Sequence, residues 1–100
     1  MEEPAEIELL GFLWEYEPDG NVEHLARHDV SPDDVYAVLQ SSPMFFLNLP
    51  EPTASHIMIG PDGRGRVLYI ALLATPETGI WKAVTGWDSR LARRIYYSER

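Results

Sequence analysis

The 100-residue sequence contains no cysteine and a single lysine, Lys82. The first absence removes disulfides, thiolate metal ligands and a cysteine nucleophile from consideration. The second leaves arginine to carry almost all the positive charge. Long apolar runs are missing as well: the longest, Val67 to Ala74, has eight residues, far short of the roughly 20 that a membrane-spanning helix needs. The start, Met1-Glu2-Glu3-Pro4, has neither the basic segment nor the apolar stretch of a secretory signal. The expectation is a soluble cytoplasmic protein without membrane association. Positive charge is scarcest in the first part of the chain. Residues 1–63 hold 13 acids against one base, Arg27, whereas residues 64–100 hold seven bases against three acids, for a net charge of −8. A field of that sign repels polyanions at long range. Any phosphate contact would be local to the C-terminal third, and the same basic region could equally meet an acidic protein.

What remains is the composition of a folded chain: 45% hydrophobic, 11% aromatic and 24% charged, against the low hydrophobicity typical of disorder. The length suits one domain over residues 1–100, because independent cores usually take roughly 100–150 residues.

Hydrophobic periodicity divides this domain into eight elements. Ile7 to Trp14 reads as a strand ending in the acidic turn Glu15 to Gly20. Asn21 to His28 places Val22, Leu25 and Ala26 at helical spacing, with Asp19 or Asn21 able to cap the helix and Asp29 able to leave it in the left-handed conformation. Ser31-Pro32-Asp33-Asp34 is a strong helix start: a serine cap, proline at the first helical position and two carboxylates at the positive end. Val35, Val38 and Leu39 form that helix's apolar stripe, which ends near Ser41-Ser42-Pro43.

Strands follow over Met44–Leu49, His56–Gly60, Arg66–Thr75 and Ile80–Trp87, separated by a loop at 50–53 and turns at 61–65 and 76–79. On the last strand, strict alternation puts Trp81, Ala83, Thr85 and Trp87 on one side and Lys82 on the other. A closing helix, capped by Asp88 or Ser89 and running through Glu99, turns Leu91, Ala92, Ile95 and Tyr96 inward. Arg90, Arg93, Arg94 and Tyr97 lie on its opposite face. The predicted order is β-α-α-β-β-β-β-α. Short turns between consecutive strands and helices at both ends predict an α+β fold, an antiparallel meander packed against helices.

The segment from Asn21 to Ser31, with Arg27, His28 and Val30, followed by Asp33 and Asp34, resembles a segment of the BrnT-type toxins. Arg66-Val67-Leu68-Tyr69-Ile70, Val84-Thr85 and Arg93-Arg94-Ile95-Tyr96 are similar to that family's second half. The resemblance spans roughly residues 12–98. It implies a fold like that of the RelE-like ribonuclease toxins, metal-independent RNA cleavage with no cofactor, and a ribbon-helix-helix antitoxin as partner. In that chemistry a base takes the ribose 2′-OH proton and cations stabilise the crowded phosphate. Three places depart from the family: Gly20 stands where a lysine is common, Asp29 where a glycine is usual, and Thr85-Gly86-Trp87 where a Ser-Ala-Arg motif is common.

Carried onto this chain, the reaction would use His28 as base or acid, with Arg27, Lys82 and Arg66 stabilising phosphate. Histidine suits the role because it titrates near neutrality. Arg64, Trp87, Arg90, Arg93 and Arg94 are the candidate binding residues. Each has a plainer reading. His28 suits the last turn of a helix, Lys82 can pair with a carboxylate, Arg64 and Arg66 flank a turn, and the last arginines form a wet helix face. His24 and His28 sit four apart and His56 could join them, but without further donors no metal is expected. The sequence therefore offers two functions. One is a metal-independent endoribonuclease; the other is a non-catalytic module that binds a protein through its C-terminal basic face and Trp87.

Overall fold

The computed structural model describes residues 4–48 and 54–98. Eight elements appear in the expected order: β1 (Gly11–Leu13), α1 (Asn21–Ala26), α2 (Pro32–Leu39), β2 (Met44–Leu47), β3 (His56–Pro61), β4 (Val67–Ala74), β5 (Ile80–Asp88) and α3 (Arg90–Ser98). They make a single α+β domain around one five-stranded sheet ordered β1-β5-β4-β3-β2. The expected loop at 50–53 lies outside the described residues, as do the ends expected for the second strand at Leu49 and the last helix at Glu99.

From β2 to β5 the sheet is the antiparallel meander that the short turns require. It is not antiparallel throughout, however: β1 pairs in parallel with β5, Gly11 opposite Ile80 and Leu13 opposite Lys82. The connection from β1 to β2 contains both α1 and α2, long enough to cross the sheet and put the two strands on opposite edges. β1 is also shorter than the apolar run. Upstream of it, Ala5 donates to the Phe45 carbonyl at 2.9 Å on the far edge, and Ile7 and Leu9 cover the core.

The sheet's two faces hold separate clusters. Leu68, Ile70 and Leu72 of β4 meet Leu25 of α1 and Val35 and Val38 of α2. Val67 and Tyr69 point the other way, with Ala92 and Tyr96 of α3. This period-two partition follows from the pleat. Leu91 departs from the expected inward stripe: at 50% exposure it lies on α3's flank, and the inward positions are taken by Ala92, Ile95 and Tyr96.

A bulge on β5 overturns another expectation. Ala71 faces Thr85 but Leu72 faces Ala83, so Val84 is an extra residue. An extra residue reverses the alternation beyond it. Trp81 and Ala83 stay in the α1–α2 core, whereas Trp87 stacks on Tyr69 with centroids 4.8 Å apart. Thr85 and Trp87 consequently share the face of Lys82, not that of Trp81.

Candidate functional site

The β3–β4 turn carries the densest charge chemistry in the described molecule. Gly63 and Gly65 take positive φ there, at 83° and 90°, and wrap the turn around Asp62. The fully buried Asp62 carboxylate accepts from the Arg64 and Arg66 N–H groups at 2.8 and 3.1 Å, and from Arg66 Nε at 2.7 Å. The other two guanidinium nitrogens of Arg66 reach across to the junction of α1 and α2. Nη1 donates to the Asp29 carbonyl at 2.7 Å and Nη2 to Asp34 Oδ2 at 3.2 Å. Arg64 Nη2 also reaches Asp34, at 3.0 Å. Asp34 in turn closes a capping box with Ser31, the expected N-cap, and Asp29 has φ 59°, the left-handed helix exit its residue type allows.

Burial alone would raise the Asp62 pKa, but the N–H groups of Arg64 and Arg66 and the Arg66 charge hold it below the ordinary value. For Asp34 the same burial is outweighed by hydrogen bonds from Ser31 and by both arginines. Arg66 is desolvated too, yet the facing carboxylates raise its pKa. This is a closed ion cluster that clamps the β3–β4 turn onto the helical layer.

The remaining cations expected at a phosphate are engaged elsewhere. Arg27 pairs with Glu23 at 3.0 Å and Asp19 at 3.3 Å on exposed α1 surface. Lys82 pairs with Glu15 at 3.0 Å, and that bond, with the Lys82 charge, lowers the Glu15 pKa against a desolvation that raises it. His28 is exposed, with its ring 5.9 Å from that of Trp87. The structure therefore brings His28 to Trp87, and Arg66 to the Asp29 carbonyl next to it, but ties Arg27, Lys82 and Arg66 to different carboxylates. His56 packs 5.0 Å from Trp81, at the end of β5 away from Trp87, and burial lowers its pKa. Six residues of strand, roughly 20 Å, separate those two tryptophans. Among the described residues no three His, Asp or Glu side chains are grouped to hold a metal ion.

The arginines of α3 differ. Ser89 Oγ caps the helix by accepting from the Ala92 N–H at 3.0 Å. Ala92 and Tyr96 turn inward, and the Tyr96 hydroxyl donates to the Ser41 carbonyl at 2.9 Å. That orientation exposes Arg90, Arg93, Arg94 and Tyr97. Arg93 donates to the Gly65 carbonyl and lies 5.9 Å from the Tyr97 ring centre. Arg90 and Arg94 enter none of the ion pairs among the described residues. Exposed Leu91, Tyr97 and Trp87 add apolar surface at 50%, 56% and 37% exposure. On the other side of the β3–β4 turn lies an open groove of about 520 Å³, lined by Val22, Ala26, Pro32, Asp29, Asp33 and Arg64 among others.

Sequence reasoning missed the roles of three residues that shape this arrangement. Asp62 read only as part of a turn, although an aspartate between a strand and two glycines is the type that organises a turn through side-chain acceptors. Asn21 was a candidate cap; instead Gly20 is the N-cap, with no side-chain cap bond. The buried Asn21 amide joins three segments, accepting from the Glu15 N–H at 2.8 Å and donating to the Leu13 and Ala83 carbonyls at 2.9 and 3.1 Å. Gly20, where the resemblance expects lysine, has no room for any side chain: a Cβ there would lie 2.5 Å from the Glu15 carbonyl oxygen. No family model matches this chain, and no curated protein or solved structure does either.

Proposed function

We propose that this chain is a non-catalytic protein-binding module, built on a scaffold related to the BrnT-type and RelE-like toxins, that takes an acidic partner on α3 and Trp87. The element order, the helix cap at Ser31 and the position of His28 support the scaffold. The observation that carries the function is the pairing of the cations. Among the described residues Arg27, Lys82, Arg64 and Arg66 all meet carboxylates, whereas exposed Arg90 and Arg94 of α3 enter no ion pair.

Magnitudes favour binding over catalysis. A charge-assisted hydrogen bond from Arg66 to phosphate contributes about 1.5–3 kcal/mol. Withdrawing Arg66 from buried Asp62 to make it costs about 3–5 kcal/mol. Recruiting Arg66 for an RNA phosphate is thus unfavourable, and the lysine and arginine positions of the family that could replace it are Gly20 and Trp87 here. On α3 no such cost arises, because Arg90 and Arg94 are already exposed. Their surroundings, three exposed apolar side chains, suit a partner segment that mixes carboxylates with leucine or aromatic residues. An antitoxin of the ribbon-helix-helix kind is the partner class the resemblance suggests.

Two assays on the same preparation test this reading. Mixed RNA incubated with the protein in EDTA should remain intact. A fluorescent peptide of alternating glutamate and leucine should bind, and Arg90→Glu with Arg94→Glu should weaken it about tenfold, the loss of two exposed charge pairs. RNA cleavage that His28→Ala abolishes in a folded protein would restore the ribonuclease reading and displace this one.

A further inference from the structure

Two surfaces of opposite character flank the tip of the β3–β4 turn. Arg64 of that tip lines the groove between α1 and the start of α2, and the neighbouring Gly65 carbonyl receives Arg93 of α3. A groove and a helix stripe therefore lie on either side of one tight turn. The groove presents Asp29, whose side chain is 95% exposed and only loosely paired, 3.9 Å from Arg66 Nη1, and exposed Asp33, beside Arg64 and over a floor that includes Val22, Ala26 and Pro32. The stripe presents Arg90 and Arg94 with Leu91 and Tyr97. Each surface is what the other would bind: carboxylates against guanidinium groups, and apolar floor against apolar side chains.

We propose that the acidic partner of α3 is a second copy of this chain. Two copies meet about a two-fold axis near their β3–β4 turns, each laying its arginine stripe along the other's groove. This rests on the binding-module reading above and names the partner. The placement matters because surfaces adjacent across a turn can be engaged reciprocally. One rotation then makes the contact twice and closes the assembly, where a single head-to-tail contact would propagate. The net charge of −8 on each copy opposes approach, and the range of that opposition decides the outcome. At physiological ionic strength charges separated by more than about 8 Å are largely screened. Pairs in direct contact at the interface then outweigh the diffuse repulsion.

Sedimentation of the full chain at 0.15 M salt, a physiological ionic strength, tests the proposal. The wild type should run at twice the 11.4 kDa of one chain. Arg90→Glu with Arg94→Glu should raise the dimer dissociation constant about tenfold. So should Asp29→Asn with Asp33→Lys, in which asparagine keeps the left-handed backbone at 29. Circular dichroism checks that both are folded. An equimolar mixture of the two variants should dimerise again, because the swapped groove and swapped stripe attract while the remaining pair is native. A wild type at single-chain mass up to about 100 µM overturns the proposal, and so does a mixture that stays monomeric. If the wild type is monomeric but the glutamate–leucine peptide still binds and is lost in Arg90→Glu/Arg94→Glu, the module stands and its partner is another chain.

Discussion

Arg66 and Arg94 belong to the same basic third of the chain, and their environments are opposites. Arg66 is mostly buried, with all three guanidinium nitrogens donating to Asp62, Asp34 and the Asp29 carbonyl. Arg94 stands in solvent on a helix whose other side fills the core. One charge holds the molecule together and the other is available to something else. Positive charge in a sequence is therefore not a measure of capacity to bind anions; what counts is how much of it the chain's own carboxylates already occupy.

The sharpest way to break that contrast is Arg66→Met. It leaves the Asp62 carboxylate buried with only the more distant Arg64 guanidinium, at 3.9 Å, and urea unfolding should show a loss of about 3–5 kcal/mol. A smaller effect is expected from acid. Asp62 and Asp34 have pKa values below the ordinary carboxylate range, so the folded state binds protons less readily than the unfolded chain. Their contribution is complete above about pH 4, the usual carboxylate pKa, and is lost as pH falls through the lowered folded values. Asp34→Asn should cost about 1–3 kcal/mol at neutral pH and flatten the acid limb of a stability–pH curve.

Lys82→Ala sits between the two arginines in environment, with both partners of its ion pair 30% exposed. Its unfolding midpoint should move little, since half-exposed pairs are screened, and the movement should shrink further in high salt. At the far end, Arg90→Ala with Arg94→Ala should leave the midpoint of the single chain unchanged, measured at concentrations too low for dimerisation to stabilise it, while acidic-peptide binding falls. A stability loss there comparable to that of Arg66→Met would erase the contrast.

The order of elements was legible because it follows from local signals. The serine cap at Ser31, the change from helical to alternating period at Met44 and the glycines of the 61–65 turn are each set by neighbours in the chain. The bulge at Val84 was not legible. Alternation holds on both sides of it, and the slip shows only against β4, where Leu72 and Ala71 take Ala83 and Thr85. Nor could β1 be placed beside β5, since its partner lies 69 residues away at Ile80 from Gly11. On the candidate site, the sequence named the cations but not their occupation. Lys82 was open to pairing with a carboxylate, whereas Arg66 resembled a solvated turn and proved to be the centre of a buried cluster.

Local chemistry alone settled where this chain turns, where α2 is capped and where the period changes, because a capping serine, a proline or a glycine acts on backbone within a few residues. It also settled that acids would dominate the first part and arginines the last. Which arginine meets which acid was decided only when the sheet brought Asp62 beneath Arg66 and α2 brought Asp34 alongside. Electrostatic pairing depends on distance through space, and in a chain of this topology that distance is set by packing.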